Sequence, residues 1–157
     1  MIPLSVPNLC GNELKYVRKC IKTEWVSTAG HFISIFEKKI ASYLGSKYAV
    51  ACINGTSALQ VALRVLKVRK NDEVIVPDLT FQATANAVML TGAKPILVDI
   101  DKKNLLIDEK SLIKKINKKT KAIIPVHLSG RGSNIDKIMK IAKTKKLYVI
   151  EDAAEAF

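Results

Sequence analysis

The chain has 157 residues, a formal net charge of +12, 48% hydrophobic and 25% charged residues, which is typical of one soluble globular domain. No apolar stretch approaches the roughly 20 residues that a membrane helix needs, and no basic start with an apolar segment behind it marks an export signal, so we expect a cytoplasmic protein without a membrane partner. Only four of the 26 basic residues are arginine, the residue on which base-reading proteins depend, so we expect no nucleic-acid partner.

Short apolar runs alternate with amphipathic segments along the chain, at a spacing that predicts a repeated strand–helix unit. Two helices are predicted first, at residues 12–21 and 33–44. Strands follow at residues 48–53, 73–76, 95–100, 122–127 and 147–151, with helices between them at residues 57–66, 109–117 and 135–146. Because the strands are apolar throughout, we expect a mainly parallel sheet with helices on both faces, an α/β fold. Helix 57–66 is apolar on nearly every face, which predicts burial against the sheet and against a second subunit.

In an open parallel sheet, ligands bind beyond the carboxyl ends of the strands. After the first predicted strand comes Asn54-Gly55-Thr56-Ser57, a turn of small residues that opens a helix. Free N–H groups at a helix start favour an anion, so this turn predicts a phosphate site. The same residue types also cap helices for purely structural reasons, and that reading stays open here. Walker-type and dinucleotide-binding glycine motifs are absent, which disfavours those cofactors.

Three further residues stand at or after the ends of predicted strands. Phe81 follows the second predicted strand, where an aromatic side chain at a helix start either covers a flat ligand ring or packs in the core. His127 ends a strand, and a positioning or packing role is favoured over general base catalysis. Asp152 follows an apolar strand directly, and since an unpaired buried carboxylate is costly, it either faces a protonated ring nitrogen or caps a following helix.

The three cysteines, Cys10, Cys20 and Cys52, form no CxxC pair and have no histidine cluster beside them. This pattern argues against a disulfide framework and against a zinc site. We expect no bound metal, and thiols that are buried or idle.

Taken together and in order, these segments resemble the DegT/StrS family of nucleotide-sugar aminotransferases, pyridoxal-phosphate enzymes of fold type I. The resemblance covers essentially the whole chain and rests on residues 2–5, 11–14, 25–30, 54–59, 72–77, 80–87, 125–128 and 151–156. It is most similar to members that act on 4-keto-6-deoxy sugar nucleotides, including those of legionaminic-acid and perosamine pathways. The resemblance implies amino transfer, from glutamate as donor, in the biosynthesis of sugars for cell-surface polysaccharides or glycans. It also implies a homodimer and the three-layer large domain of aspartate aminotransferase-like enzymes, here incomplete.

The same resemblance assigns roles to single residues. It implies that the cofactor phosphate is held by Gly55, Thr56 and Ser57, and that Phe81 stacks on the pyridine ring. Asp152 would pair with the ring nitrogen and keep it protonated, which makes the ring an electron sink. Glu155 would contact the ring hydroxyl, at a position where the family often has glutamine. The residues expected near the sugar nucleotide are Trp25, Val26 and Ser27.

One family feature has no match in this chain. Family members bind the cofactor covalently through a lysine some tens of residues beyond the segment that matches Asp152, and no lysine of this sequence corresponds to it. We therefore expect residues 1–30 to be an N-terminal arm and substrate-side segment, and residues 31–157 to be a partial cofactor-binding large domain. Further strands, the lysine and a C-terminal domain would lie in a protein more than twice as long, and this chain alone would be inactive. The alternatives are a non-catalytic binding fragment and a pyridoxal-phosphate sugar dehydratase of the same family.

Overall fold

A computed structural model describes residue 2 and residues 6–156. The motif residues Pro3, Leu4 and Ser5, and the terminal Phe157, therefore lie outside the described residues. The chain divides into two compact units, with the division after Ala51. The predicted boundary after residue 30 concerns the roles of the two segments and stays a prediction.

The first unit contains two helices, α1 (Glu13–Lys22) and α2 (His31–Tyr43). Their bounds differ from the predicted ones by one or two residues at each end. Phe32 of α2 contacts Tyr16 of α1 edge to face, with ring centroids 5.0 Å apart. The ammonium nitrogen of Lys19 lies 5.6 Å from the Phe32 ring centroid. These contacts join α1 to α2 around one aromatic ring.

The second unit is built on a parallel sheet. Its described strands are β1 (Glu73–Pro77), β2 (Lys94–Val98), β3 (Thr120–Ile123) and β4 (Tyr148–Val149), in the order β2-β1-β3-β4. All three neighbouring pairs are parallel. Parallel strands point their carboxyl ends to the same edge, so the segments that follow β1, β3 and β4 all begin at one edge of the sheet.

Helices cover both faces of this sheet. Successive residues of β1 point to opposite faces: Val74 and Val76 belong to a core formed with α3 (Gly55–Val65) and α4 (Ala83–Met89). Ile75 belongs to a second core formed with α5 (Glu109–Lys115) and α6 (Ile135–Lys145). The described residues thus confirm the predicted α/β fold, with the sheet between two helical layers.

The predicted first strand, residues 48–53, is not a strand in this structure. A strand forms only where a neighbouring backbone pairs with it, and none of the described strands pairs with this segment. Its apolar side chains are accordingly exposed, Val50 to 76% and Ile53 to 91%. The apolar run was read correctly, but the prediction of pairing was wrong.

The strand ends also differ from the prediction. β3 ends at Ile123 because Pro125 has no N–H to donate to a ladder. Beyond the proline the pairing resumes as a single parallel bridge between Val126 and Asp152. Helix α3 buries Leu59 and Leu63, but its Val61 and Val65 are exposed. The predicted burial of this helix against the sheet is met by Leu59 and Leu63, and burial of its exposed face against a second subunit stays a prediction.

All three cysteines are free thiols. Cys10 and Cys52 are exposed and Cys20 is half-buried, so of the two predicted alternatives, buried or idle thiols, only the idle one is left for Cys10 and Cys52. Within residue 2 and residues 6–156, no group of His, Cys, Asp and Glu side chains is arranged to hold a metal ion. None of the helices in this part of the chain has both the length and the apolar character needed to cross a membrane.

The exposed apolar surface leads to a prediction about solution behaviour. On α3, Val61 and Val65 are exposed. Leu97 is half exposed on β2, which pairs with only one of the described strands. Exposed apolar patches and open strand edges favour association. We expect the 157-residue chain to be marginally stable and to self-associate at micromolar concentration despite its charge of +12, measured by sedimentation velocity. A monomer that melts cooperatively in ordinary salt would contradict this expectation.

Candidate functional site

A cavity of about 320 Å³ lies in the second unit, at the edge of the sheet where the parallel strands end. Four chain segments contribute to it: the start of α3, the segment between β1 and α4, the segment after β3 and the segment after β4. The lining residues are Asn54, Gly55, Thr56, Leu59, Thr80, Phe81, Ala83, Val126, Leu128, Asp152, Ala154 and Glu155. Five residues that the sequence singled out, Gly55, Thr56, Phe81, Asp152 and Glu155, are therefore brought together around one space.

The start of α3 is capped by Asn54. Its side-chain Oδ1 accepts the N–H of Ser57 at 2.8 Å, and its backbone carbonyl accepts the N–H of Ala58 at 3.1 Å. The N–H groups of Gly55 and Thr56, in the first turn, have no acceptor among the described residues. Both residues line the cavity, so the positive end of the α3 dipole and two free donors are available to an anion there.

Ser57 differs from its two neighbours. Its N–H is already held by Asn54, and Ser57 is not among the residues that line the cavity. The structural reading, that this turn caps a helix, therefore holds for Asn54 and Ser57, while Gly55 and Thr56 keep their donors free. A role for Ser57 at a phosphate depends on its hydroxyl and stays a prediction.

Phe81 is 75% exposed and lies on the cavity wall. The alternative that it packs in the core is therefore wrong. A large aromatic ring in solvent is unfavourable unless something covers it, and a flat ligand in the cavity would do so. Stacking on such a ring remains a prediction.

Asp152 is held in place by its backbone and by its side chain. Its N–H donates to the Pro125 carbonyl at 2.9 Å, and its own carbonyl accepts the His127 N–H at 3.0 Å. Asp152 as a whole residue is only 8% exposed. Its Oδ2 accepts the Thr84 hydroxyl at 2.7 Å, and its Oδ1 accepts the Ala154 N–H at 3.3 Å. The four described residues after Asp152, 153–156, contain no helix start, and the helix-cap alternative for Asp152 stays open.

Glu155 joins the segment after β4 to the segment after β3. Its Oε2 accepts the backbone N–H of Ser129 at 2.5 Å. Ser129 lies in a short 3-10 turn, Leu128–Gly130, and has a positive φ of 52°. The second oxygen, Oε1, has no hydrogen-bond partner in the part of the chain that is described. Glu155 can therefore accept one further hydrogen bond from a ligand while it holds the turn.

His127 is buried, and both of its ring nitrogens are engaged. Nδ1 accepts the Ser133 N–H at 3.0 Å, so in the neutral ring the proton lies on Nε2, which donates to Glu151 at 2.9 Å. This tautomer is assigned from the hydrogen-bond network. His127 does not line the cavity, and its backbone N–H donates to Asp152. These contacts fit the predicted positioning role better than general base catalysis.

Trp25, Val26 and Ser27 lie in the first compact unit. They line a cavity of about 980 Å³ in that unit, whose other lining residues are mostly apolar side chains of α1 and α2. Trp25 and Val26 are both more than half exposed. Their assignment to a sugar nucleotide stays a prediction.

The structure also identifies residues to which the sequence reading gave no role. Thr80 lines the cavity, and Thr84 is fully buried behind it, between Thr80 and Asp152. Their spacing of four residues at the start of a helical segment places them on one side of the chain, which is the only signal the sequence offered. No lysine is among the described residues that line the cavity.

The sequence model that defines the DegT/DnrJ/EryC1/StrS aminotransferase family matches residues 7–157 of this chain. Similar curated proteins include the GDP-perosamine synthase of Caulobacter vibrioides, 48% identical over 99% of this chain and 42% of that protein. The GDP-perosamine synthase of Escherichia coli O157:H7 is 44% identical over 99% of this chain and 43% of its own length. This chain thus spans about two fifths of the length of these relatives.

Solved structures agree with this match. An aminotransferase from Psychrobacter cryohalolentis has a TM-score of 0.93 and 38% identity, over 99% of this chain and 40% of that one. The pyridoxal-phosphate form of Spr1654 from Streptococcus pneumoniae, described as a sugar aminotransferase, has a TM-score of 0.91 and 30% identity, over 99% of this chain and 43% of its own.

Proposed function

This chain belongs to the DegT/DnrJ/EryC1/StrS aminotransferase family, and from that premise we propose that it carries the pyridoxal-phosphate site of a nucleotide-sugar aminotransferase. The enzyme would move an amino group from glutamate onto the keto carbon of a nucleotide-linked 4-keto-6-deoxy sugar. The observation that carries this proposal is the cavity, where two free N–H groups, an exposed aromatic ring and a buried carboxylate converge.

The residues present fit this cofactor by the chemistry of their groups. The free donors of Gly55 and Thr56 suit a phosphate dianion at a helix start. The face of Phe81 suits a flat pyridine ring, and the buried carboxylate of Asp152 suits a protonated ring nitrogen. When bound, pyridoxal phosphate supplies a positively charged ring that takes up the electron pair left when a proton leaves the amino-bearing carbon.

Each residue then has a distinct task. Gly55 and Thr56 bind the phosphate and orient the ring relative to the sheet edge. Asp152 holds the proton on the ring nitrogen, and because its carboxylate is buried, the attraction between the two charges is not screened by water. Phe81 excludes water from one face of the ring. The free Oε1 of Glu155 accepts a hydrogen bond from the ring hydroxyl.

The substrate class is supported by the relatives. Three similar proteins are named GDP-perosamine synthase, and another, from Bacillus subtilis, is named spore coat polysaccharide biosynthesis protein SpsC. A GDP-linked keto sugar is therefore the first substrate to test, with a role in polysaccharide biosynthesis. A homodimer is proposed as well, since Val61 and Val65 leave an apolar face exposed on α3, the helix whose start lines the cavity.

The proposal is tested with a protein of the relatives' full length that contains this chain. It is incubated with ¹⁵N-glutamate and GDP-4-keto-6-deoxymannose, and the products are analysed by mass spectrometry. We expect the label in an amino sugar nucleotide, with the transfer dependent on added pyridoxal phosphate. A UDP-linked keto sugar serves as the comparison substrate. If neither sugar receives nitrogen from glutamate or another amino acid, the proposed function is wrong.

A milder effect is expected at the start of α3. Thr56→Ala and Ser57→Ala should each weaken pyridoxal-phosphate binding by about two- to tenfold, the range for one lost hydrogen bond. The effect is limited because the N–H groups of Gly55 and Thr56 remain. The double variant should lose its cofactor on dialysis, followed by absorbance of the dialysed protein. Thr144→Ala, on the exposed side of α6, is the matched control, and equal cofactor loss from it would refute a phosphate role for Thr56 and Ser57.

A further inference from the structure

Two threonines connect the cavity wall to the buried carboxylate of Asp152. The hydroxyl oxygens of Thr80 and Thr84 are 2.8 Å apart, and the Thr84 hydroxyl lies 2.7 Å from Oδ2 of Asp152. Thr84 is fully buried, and Thr80 lines the cavity. The three side chains form one line of hydrogen bonds between the start of α4 and the segment after β4.

The direction of these bonds follows from counting protons. An ionised carboxylate has no proton and accepts only, so Thr84 donates its single hydroxyl proton to Asp152. Thr84 then has none left for Thr80, and Thr80 donates to Thr84. With the Ala154 N–H on Oδ1, both oxygens of Asp152 accept a hydrogen bond from the protein, as a buried carboxylate needs if it is to keep its charge.

The position of Thr84 is set by the apolar packing of α4, and its hydroxyl bonds only to Thr80 and Asp152 among the described residues. It lies in the first turn of α4, the helix that packs Ala87 and Val88 against the sheet. Its own N–H bonds locally to the Phe81 carbonyl at 3.2 Å. Besides Thr80, the only described partner of its hydroxyl is a residue 68 positions later in the chain. Burying a threonine at this point has a structural cost that the bond to Asp152 offsets.

We propose that Thr84 is a positioning residue for the cofactor site: its hydroxyl, supported by Thr80, holds the Asp152 carboxylate charged and oriented toward the ring nitrogen of a bound pyridoxine-type cofactor. This inference rests on the proposed function, because it presumes that Asp152 faces the ring nitrogen. Thr84, which does not line the cavity, thereby controls the charge and the orientation of the Asp152 carboxylate. Thr80 acts on Asp152 only through Thr84, so its removal should weaken cofactor binding less.

The test uses pyridoxamine phosphate, which binds without covalent attachment, and a full-length protein that contains this chain. Two quantities are measured: the dissociation constant, by fluorescence titration, and the ¹⁵N chemical shift of the labelled ring nitrogen, which reports whether that nitrogen is protonated. The variants are Thr84→Val, which removes the hydroxyl at similar volume, and Thr84→Ser, which keeps it. Thr120→Val is the matched control, since Thr120 is also buried and hydrogen bonded but does not line the cavity.

Thr84→Val is expected to weaken pyridoxamine phosphate binding by about tenfold, because one hydrogen bond to a charged group is lost. The ring ¹⁵N resonance should move toward the unprotonated position. Thr84→Ser should stay within about twofold of the unsubstituted protein, and Thr80→Val should weaken binding by about threefold. Thr120→Val should lower the melting temperature without changing either quantity.

The inference is wrong if Thr84→Val leaves both quantities unchanged, or if Thr84→Ser behaves like Thr84→Val, since a hydroxyl at this position would then not be enough to preserve binding. Asp152→Asn separates this failure from failure of the proposed function. If Asp152→Asn shifts the ring ¹⁵N resonance while Thr84→Val does not, only the positioning role is overturned. If Asp152→Asn has no effect, or if the unsubstituted protein does not bind pyridoxamine phosphate, the proposed function fails and this inference with it.

Discussion

Asp152→Asn is expected to lower the rate of amino transfer by about a thousandfold, the scale seen when one preorganised electrostatic group is removed from an active site. The protein measured is a full-length one that contains this chain and the family's lysine. The amide that replaces the carboxylate carries no charge and cannot hold the ring nitrogen protonated. The rate is followed with glutamate as donor and a keto-sugar nucleotide as acceptor.

The fold should survive this substitution. The backbone bonds of Asp152 to Pro125 and His127 do not involve the side chain, and an amide oxygen can still accept from Thr84. Asp136→Asn, at an exposed position in the first turn of α6, is the matched control and should keep full activity. If Asp152→Asn keeps most of the activity, Asp152 does not act at the ring nitrogen.

The second large effect concerns the 157-residue chain by itself, which is expected to have no detectable aminotransferase activity. None of the described residues around the cavity is a lysine, and family members need one to bind the cofactor covalently. The chain is compared, at equal concentration, with a full-length protein that contains it. We expect a rate at least about a thousandfold lower, on the scale of losing one essential catalytic group.

A control is needed because surface lysines react slowly with aldehydes. Borohydride reduction followed by peptide mapping should find pyridoxal phosphate spread over exposed lysines, without one dominant site. Amino sugar formed from a keto-sugar nucleotide by the 157-residue chain would contradict the expectation. It would also require a lysine of this chain to reach the cavity.

The sequence predicted the α/β fold because its signals are local. Continuous apolar strands and amphipathic helices are recognisable within about ten residues, and helices between strands favour a parallel orientation of those strands. The positions after strands converge because parallel strands end at one edge of a sheet. That rule was enough to place Phe81 and Asp152 near each other. Thr56 also lines the cavity, although residues 48–53 before it form no strand.

The failures have non-local causes. Residues 48–53 have the composition of a strand, but pairing depends on a neighbouring backbone that composition cannot supply. Ser57 looked equivalent to Thr56, and only the cap geometry shows that Asn54 already holds its N–H. No role was assigned to Thr84 from the sequence. Its importance became visible only when Asp152, 68 residues later, was found against its hydroxyl.

The most direct test of the cofactor site is a crystal structure of a full-length protein that contains this chain, with pyridoxamine phosphate bound. We expect the phosphate within hydrogen-bond distance of the Gly55 and Thr56 N–H groups, the ring against Phe81, and the ring nitrogen against the Asp152 carboxylate. A phosphate bound away from the start of α3, or a ring nitrogen that faces any group other than Asp152, would contradict this expectation.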